Sequence, residues 1–198
     1  IHEGRGHSRY PKVTCIVGLQ KGNNVYIGGD SAGVAGYSLL VRGDRKVFHN
    51  VYNSEFIFGF TSSFRMGQIL RYRFDPPPNL YDWDVERYVT TDFVDGVRKC
   101  LKEYGFGHSN DGPDEGGSFL FGYSGRLFAI HDDYQIEWHT KPYNAVGCGG
   151  EIALGALDVL IDTNVEPLLI LERALTVAEQ FSSGVRGPFH YVTSTRQK

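Results

Sequence analysis

The sequence predicts an α+β fold in which antiparallel sheets carry helices on their outer faces. Three observations lead there: apolar runs of strand length come in clusters joined by short turns, helical stripes come in pairs, and strands do not alternate one for one with helices as in a parallel βαβ sheet. Along the chain the order is strands, helix, helix, strands, helix, helix, strand. A chain of 198 residues with 41% hydrophobic content is enough for one core and one domain.

Ile1 to Lys12 is polar and basic, contains Pro11 and lacks a hydrophobic centre, so it reads as a loop-like leader and not as a signal peptide or anchor. The ordered pattern begins at Thr14. Val17 to Leu19 and Val25 to Gly29 are β-branched apolar runs around Lys21-Gly22-Asn23-Asn24, a hairpin signal. A second strand pair, Lys46 to His49 and Phe56 to Phe60, is joined through Tyr52-Asn53-Ser54. Phe64 to Tyr72 reads as a helix, stopped by Asp75-Pro76-Pro77-Pro78. From Val85 to Tyr104, apolar residues recur every three or four positions, the stripe of one long amphipathic helix. Gly105 to Gly117 is rich in glycine and acid and reads as a mobile loop. Phe119 to Tyr123, Arg126 to Ile130 and Gln135 to His139 are three more strands. The turn Gly147 to Gly150 leads into helices over Ile152 to Ile161 and Leu168 to Phe181, and Phe189 to Thr193 is the last strand.

Bulk properties exclude several classes. The net charge of −3 and the absence of Lys/Arg blocks argue against a nucleic-acid or anionic-membrane partner. Cys15, Cys100 and Cys148 are widely spaced, which suggests neither a disulfide framework nor a zinc site and fits a reducing cytoplasm. The seven histidines never fall at the i,i+4 spacing that puts two ligands on one helix face, so no metal and no cofactor are expected.

The chemistry concentrates at Thr14 in Thr14-Cys15-Ile16-Val17-Gly18, Asp30 in Ile27-Gly28-Gly29-Asp30, and Lys46 in Arg45-Lys46-Val47. A threonine becomes a nucleophile only beside a base. Its own α-amine, freed by cleavage in front of it, has a pKa of about 7.7–8.0 and accepts a proton at neutral pH. Taken singly, Asp30 fits a turn carboxylate capping backbone amides and Lys46 a solvated strand-edge lysine. In register with Thr14, the three favour a catalytic set.

These motifs resemble those of proteasome β-type subunits, most closely the bacterial proteasome-like peptidase subunit that works with an unfoldase ATPase. The likeness runs on through Phe58 to Ser63, the Gly147-Cys148-Gly149-Gly150 turn and Ser183-Gly184, covering nearly all of Thr14 to Ser194. The resemblance implies the four-layer αββα sandwich of the N-terminal-nucleophile hydrolases, with residues 1–13 a leader, propeptide or tag-like extension and 14–198 a single domain. It also implies a homo-oligomeric single or double ring, a peptide or unfolded protein as substrate, and an unfoldase ATPase as partner.

By the same resemblance, Thr14 is the nucleophile, Lys46 steadies its alkoxide and Asp30 holds Lys46 charged. Ser62 supplies a backbone oxyanion donor where relatives carry glycine; its plainer role is a turn serine or a helix N-cap before Phe64. Ser183 is retained, whereas Cys148 replaces a serine and Gln180 an aspartate. Small buried turn residue and exposed end of a helix are their plainer roles. Val34, Phe60 and Phe64 fall near the substrate pocket and imply an apolar or small side-chain preference. Val13 stands where relatives are cut or start, which suggests that residues 1–13 lie upstream of a natural start. Two alternatives stay open: a non-catalytic β-type ring subunit, and an N-terminal-nucleophile amidase acting on small amides.

Overall fold

The computed structural model describes residues 13–35, 37–81, 84–106 and 116–196. The expected leader, except Val13, and most of the expected Gly105 to Gly117 loop lie outside the described residues, as do His2, His7 and His108.

Two sheets lie face to face between two layers of helix. The first sheet contains β1 (Ile16–Lys21), β2 (Asn24–Gly29), β10 (Tyr143–Val146) and β11 (His190–Thr195), in the order β10-β1-β2-β11. The second runs β5 (Val47–His49), β6 (Ile57–Phe60), β7 (Phe119–Tyr123), β8 (Arg126–Ile130) and β9 (Ile136–Glu137) in sequence order. Every pairing is antiparallel. A separate hairpin of β3 (Ala32–Ala35) and β4 (Ser38–Val41) projects from the end of β2.

Alternation along each strand builds three apolar layers. Phe56, Phe58 and Phe60, with Phe119, Phe121, Phe128 and Ile130, face α1 (Phe64–Tyr72), α2 (Val85–Tyr88) and α3 (Val94–Glu103). Their rings stack through Phe93, which lies 5.3 Å from Phe56 and 4.5 Å from Phe121, centroid to centroid. Cys15, Val17 and Leu19 face the other way, toward α4 (Gly150–Leu160) and α5 (Pro167–Phe181). Ile16, Val25, Ile27, Val47, Ile57, Leu120 and Ala129 fill the seam between the sheets. Gly59 keeps that seam narrow, since a Cβ there would stand 2.5 Å from Ile16 Cγ2 and 2.7 Å from Ile27 Cγ2. The result is the αββα sandwich that the family likeness implied.

Some elements differ from the sequence expectation. The stripe from Val85 to Tyr104 is not one regular helix: Val89–Phe93 forms a π-helical turn between α2 and α3. There the Thr90 and Thr91 hydroxyls donate to Glu86 O and Arg87 O, each at 2.7 Å, drawing carbonyls away from the regular ladder. The short strands β3, β4 and β10 are additional. β4 is exposed along its whole length, and β10 carries a central Asn, so neither shows strong strand patterning. Among the described residues, no helix is long and apolar enough to cross a membrane.

Candidate active site

The site forms at one end of the two stacked sheets, just beyond the ends of their strands. Asp30 follows directly on β2, and Thr14 and Cys15 lead into β1, with Ile16 paired to Gly29. The pairing continues one step further, Asp30 N donating to Cys15 O at 3.2 Å. Lys46 arrives from the second sheet as the residue before β5. The first sheet thus supplies the hydroxyl and carboxylate, and the second the cation.

Lys46 Nζ donates to Thr14 Oγ1 at 2.9 Å and to Asp30 Oδ1 at 2.7 Å. All three residues are buried, Thr14 at 3% exposure and Asp30 and Lys46 at 1%. Burying an ion pair is costly unless its remaining polar atoms are satisfied. Here they are: Asp30 Oδ1 also accepts from Cys15 N at 3.0 Å, and Oδ2 accepts from Ala32 N at 2.9 Å and Arg186 N at 3.2 Å. Burial draws the Lys46 ammonium below the usual lysine range, while the Asp30 carboxylate pulls the other way. An ammonium held in so dry a place attracts a developing alkoxide with little screening.

Around Thr14 the chain is tightly fitted. The hydroxyl donates to the carbonyl of Val13 and accepts from Lys46. The Thr14 carbonyl accepts from Gly149 N at 3.3 Å, and Gly147, at φ +100, passes so close that a Cβ there would stand 2.2 Å from it. Only glycine fits this turn. Thr14 N lies 3.4 Å from Cys148 Sγ, which is itself 3.4 Å from Ser182 Oγ. The Cys148 thiol therefore stands beside the nitrogen that cleavage would turn into an amine.

The other expected site residues are distributed unevenly. Ser62 sits at φ 71, the left-handed region that glycine favours, so the backbone keeps its turn although the side chain has changed. Its N–H donates to no acceptor among the described residues. The N-cap of α1 is Ser63, whose Oγ accepts from Arg65 N and Met66 N, so Ser62 does not serve as the cap. Ser183 and Gln180 are exposed, and neither bonds to Thr14. The hydroxyl that reaches the Cys148 thiol is that of Ser182. Phe60 is 4% exposed and its ring covers Gly67. Phe64 is half-buried and meets Phe60 edge-on at 5.6 Å; Val34 is half-buried on β3.

Three contributors were not singled out in the sequence. Ser182 reaches Cys148, Arg186 caps Asp30 through its backbone, and Thr61 holds a buried hydroxyl without a hydrogen-bond partner among the described residues. That hydroxyl borders Gly147, standing 3.4 Å from where a Cβ would be. Among the described residues, no three His, Cys, Asp or Glu side chains are grouped to hold a metal ion.

The layer order, with the site at the strand ends, is that of the proteasome-like N-terminal-nucleophile hydrolase fold. No family model matches the chain. Its sequence is 24% identical over 171 residues to the ATP-dependent protease subunit HslV of Caldicellulosiruptor saccharolyticus, covering 84% of this chain and 89% of that protein. Solved structures share the fold. Thiobacillus denitrificans BPH in complex with epoxomicin superposes with a TM-score of 0.78 at 17% identity, covering 93% of this chain and 100% of the other. HslV of Trypanosoma brucei gives 0.68 at 17% identity over 92% and 99% of the two chains. Anbu, the ancestral β-subunit of Yersinia bercovieri, gives 0.64 at 16% identity over 92% and 82%. The likeness to proteasome-like β-type subunits is thus found in sequence through HslV and in fold through all three.

Proposed function

We propose that this chain is a threonine endopeptidase subunit of the HslV type, active once Thr14 becomes N-terminal and working inside a ring of its own copies. The observation that carries the reading is the buried triad, Lys46 Nζ at 2.9 Å from Thr14 Oγ1 with Asp30 at 2.7 Å behind it. With Val13 removed, the Thr14 amine takes the hydroxyl proton through water, and the oxygen attacks a peptide carbonyl to give an ester. Lys46 stabilises the alkoxide, and the Ser62 N–H receives the charge that develops on the carbonyl oxygen. The leaving amine takes the proton, and water then hydrolyses the ester. Cys148 and Ser182, next to that amine, help to orient it; Ser183 and Gln180 have secondary roles at the rim.

The ring, single or double, and an unfoldase ATPase that feeds it are carried over from HslV, whose name describes an ATP-dependent protease subunit. A cytoplasmic location follows from the same relation. Residues 1–13 belong to the part removed, and 14–198 to the working domain. Val34, Phe60 and Phe64 contribute to the substrate pocket.

One observation favours a non-catalytic ring subunit instead: among the described residues Thr14 takes no hydrogen bond from Ser183 or Gln180, and a thiol stands beside its nitrogen. A single experiment separates the two. Protein that begins at Thr14 is treated with a peptide epoxyketone, the class of inhibitor bound in the BPH complex, and analysed by intact mass. A covalent increase at Thr14, abolished by Thr14→Ala, supports the peptidase. A folded protein with a free Thr14 amine and no adduct supports the structural subunit.

A further inference from the structure

Arg42 leaves the end of β4 and lies back across the hairpin. Its backbone N–H donates to Ser31 O at 2.9 Å, tying it to the segment that follows Asp30. Gly33 makes room for its stem, because a Cβ there would stand 2.6 Å from Arg42 Cδ. The Arg42 guanidinium carbon is 3.8 Å from the centroid of the Phe64 ring, and Lys46 Nζ is 5.7 Å from the same centroid. The guanidinium therefore lies no farther from the Lys46 ammonium than those two distances combined. Thr14 Oγ1 is 2.9 Å beyond. An extended peptide advances about 3.3 Å per residue, so Arg42 is within reach of side chains up to three residues from a bond presented to Thr14.

Half of the guanidinium is already engaged. Nε and Nη2 donate to Asp44 Oδ1 and Oδ2, both at 2.7 Å, in a side-on fork. Among the described residues the Nη1 hydrogens and the second Nη2 hydrogen have no partner, and they lie along an edge that matches another carboxylate in bidentate fashion. The Arg42 side chain is 37% exposed, so this edge is open to a ligand. The surrounding charge has the matching sign. Arg45, Arg65, Arg71 and Arg73 line a cavity of about 330 Å³ together with Asp44 and Phe60. None of these four arginines has an ion-pair partner among the described residues.

We propose that Arg42 is a specificity determinant, selecting peptides with an Asp or Glu side chain within three residues of the bond presented to Thr14. The proposal rests on the peptidase reading and replaces the apolar or small preference implied by the family likeness. Because Asp44 already neutralises part of the charge and the site is partly solvated, the preference is about tenfold, not thousandfold.

The test measures binding without turnover. Full-length protein carrying Thr14→Ala is titrated into fluorescent octapeptides that differ only in Glu or Gln at one position, and anisotropy is followed at low salt. The Glu peptide is expected to bind about tenfold more tightly. R42Q should erase the difference and leave the Gln peptide unaffected. D44N should widen it by releasing the fork, and it tests the same point if R42Q fails to fold. Equal affinity for both peptides, no binding of either, a preference that survives R42Q, or a D44N protein with unchanged preference each overturns the proposal. Epoxyketone labelling of Thr14 fails separately: no adduct alongside a retained Glu preference refutes the peptidase and leaves the anion site standing.

Discussion

Replacing Lys46 with methionine keeps the length of the side chain and removes its charge. Asp30 is then left as a buried carboxylate without its cation, a change that costs about 3–5 kcal/mol in comparable buried pairs. The three backbone N–H donors from Cys15, Ala32 and Arg186 remain in place, which argues for the lower end, about 3 kcal/mol. For a domain of this size each kcal/mol corresponds to about 2–4 °C, so the melting temperature is expected to fall by about 6–12 °C. Calorimetry on the Lys46→Met protein reads this directly, with epoxyketone labelling as the functional counterpart, expected to vanish. The reverse change, Asp30→Asn, leaves the ammonium without its carboxylate, and pH distinguishes the two. Burial already depresses Lys46, so without Asp30 the fold favours the neutral amine more strongly than the unfolded chain does. Raising the pH from 7 toward the unfolded lysine value of about 10.4 removes that penalty, so the Asp30→Asn deficit should shrink on the alkaline side. A loss below about 1 kcal/mol for Lys46→Met, or an Asp30→Asn deficit that does not change with pH, would refute the claim that a dry, coupled pair holds this site.

Three further outcomes follow from local geometry. Gly59→Ala forces a methyl into the seam between the sheets against Ile16 and Ile27, and should destabilise the protein by about 1–3 kcal/mol in urea unfolding, with little change on a loop glycine such as Gly22, used as a Gly22→Asn control. Ser62→Gly relieves a left-handed residue but frees the unfolded chain, so a net gain of no more than about 1 kcal/mol is expected in thermal melting, with Thr14 labelling retained because a backbone donor needs no side chain. Burial would raise the Glu137 carboxyl, yet hydrogen bonds from His131 and Asn144, each at 2.8 Å, outweigh it and hold the group below its ordinary range. Glu137→Gln should therefore be less stable than the parent at pH 7, and the gap should close as pH falls through the depressed value, measured as urea midpoints across that range.

Much of the site was legible because strand register converts spacing into position. Thr14 and Asp30 flank a tight hairpin, so their sequence separation fixes them side by side, and Lys46 immediately precedes β5, the first strand of the adjoining sheet. The apolar run Phe56 to Phe60 marked a strand, which the structure buries on both faces. Contacts made by backbone atoms of distant segments were not legible. Arg186 reaches Asp30 through its amide, which any residue type possesses. Ser182 and Ser183 differ by one step at the end of α5, and the cap geometry of Ser182, not its composition, decides which hydroxyl meets Cys148. The hairpin β3–β4 escaped because its exposed Leu39, Leu40 and Val41 show no polar alternation to signal a strand.

The same arrangement links chemistry to folding. Asp30 gathers amides from Cys15, Ala32 and Arg186, three segments that enter β1, leave β2 and precede β11, so the carboxylate that pairs with Lys46 is also a joint of the first sheet. A chain that merely occupied a ring position would need such a joint, but an amide or a hydroxyl could make it. A neutral group would avoid burying an ammonium at 1% exposure and its desolvation cost. Nothing in the packing of the sheets calls for the Lys46 charge, and its other hydrogen bond goes to the Thr14 hydroxyl. On the proposed peptidase reading, chemistry at that oxygen would account for the cost, and this bears on the choice between peptidase and structural subunit more heavily than the exposed positions of Ser183 and Gln180.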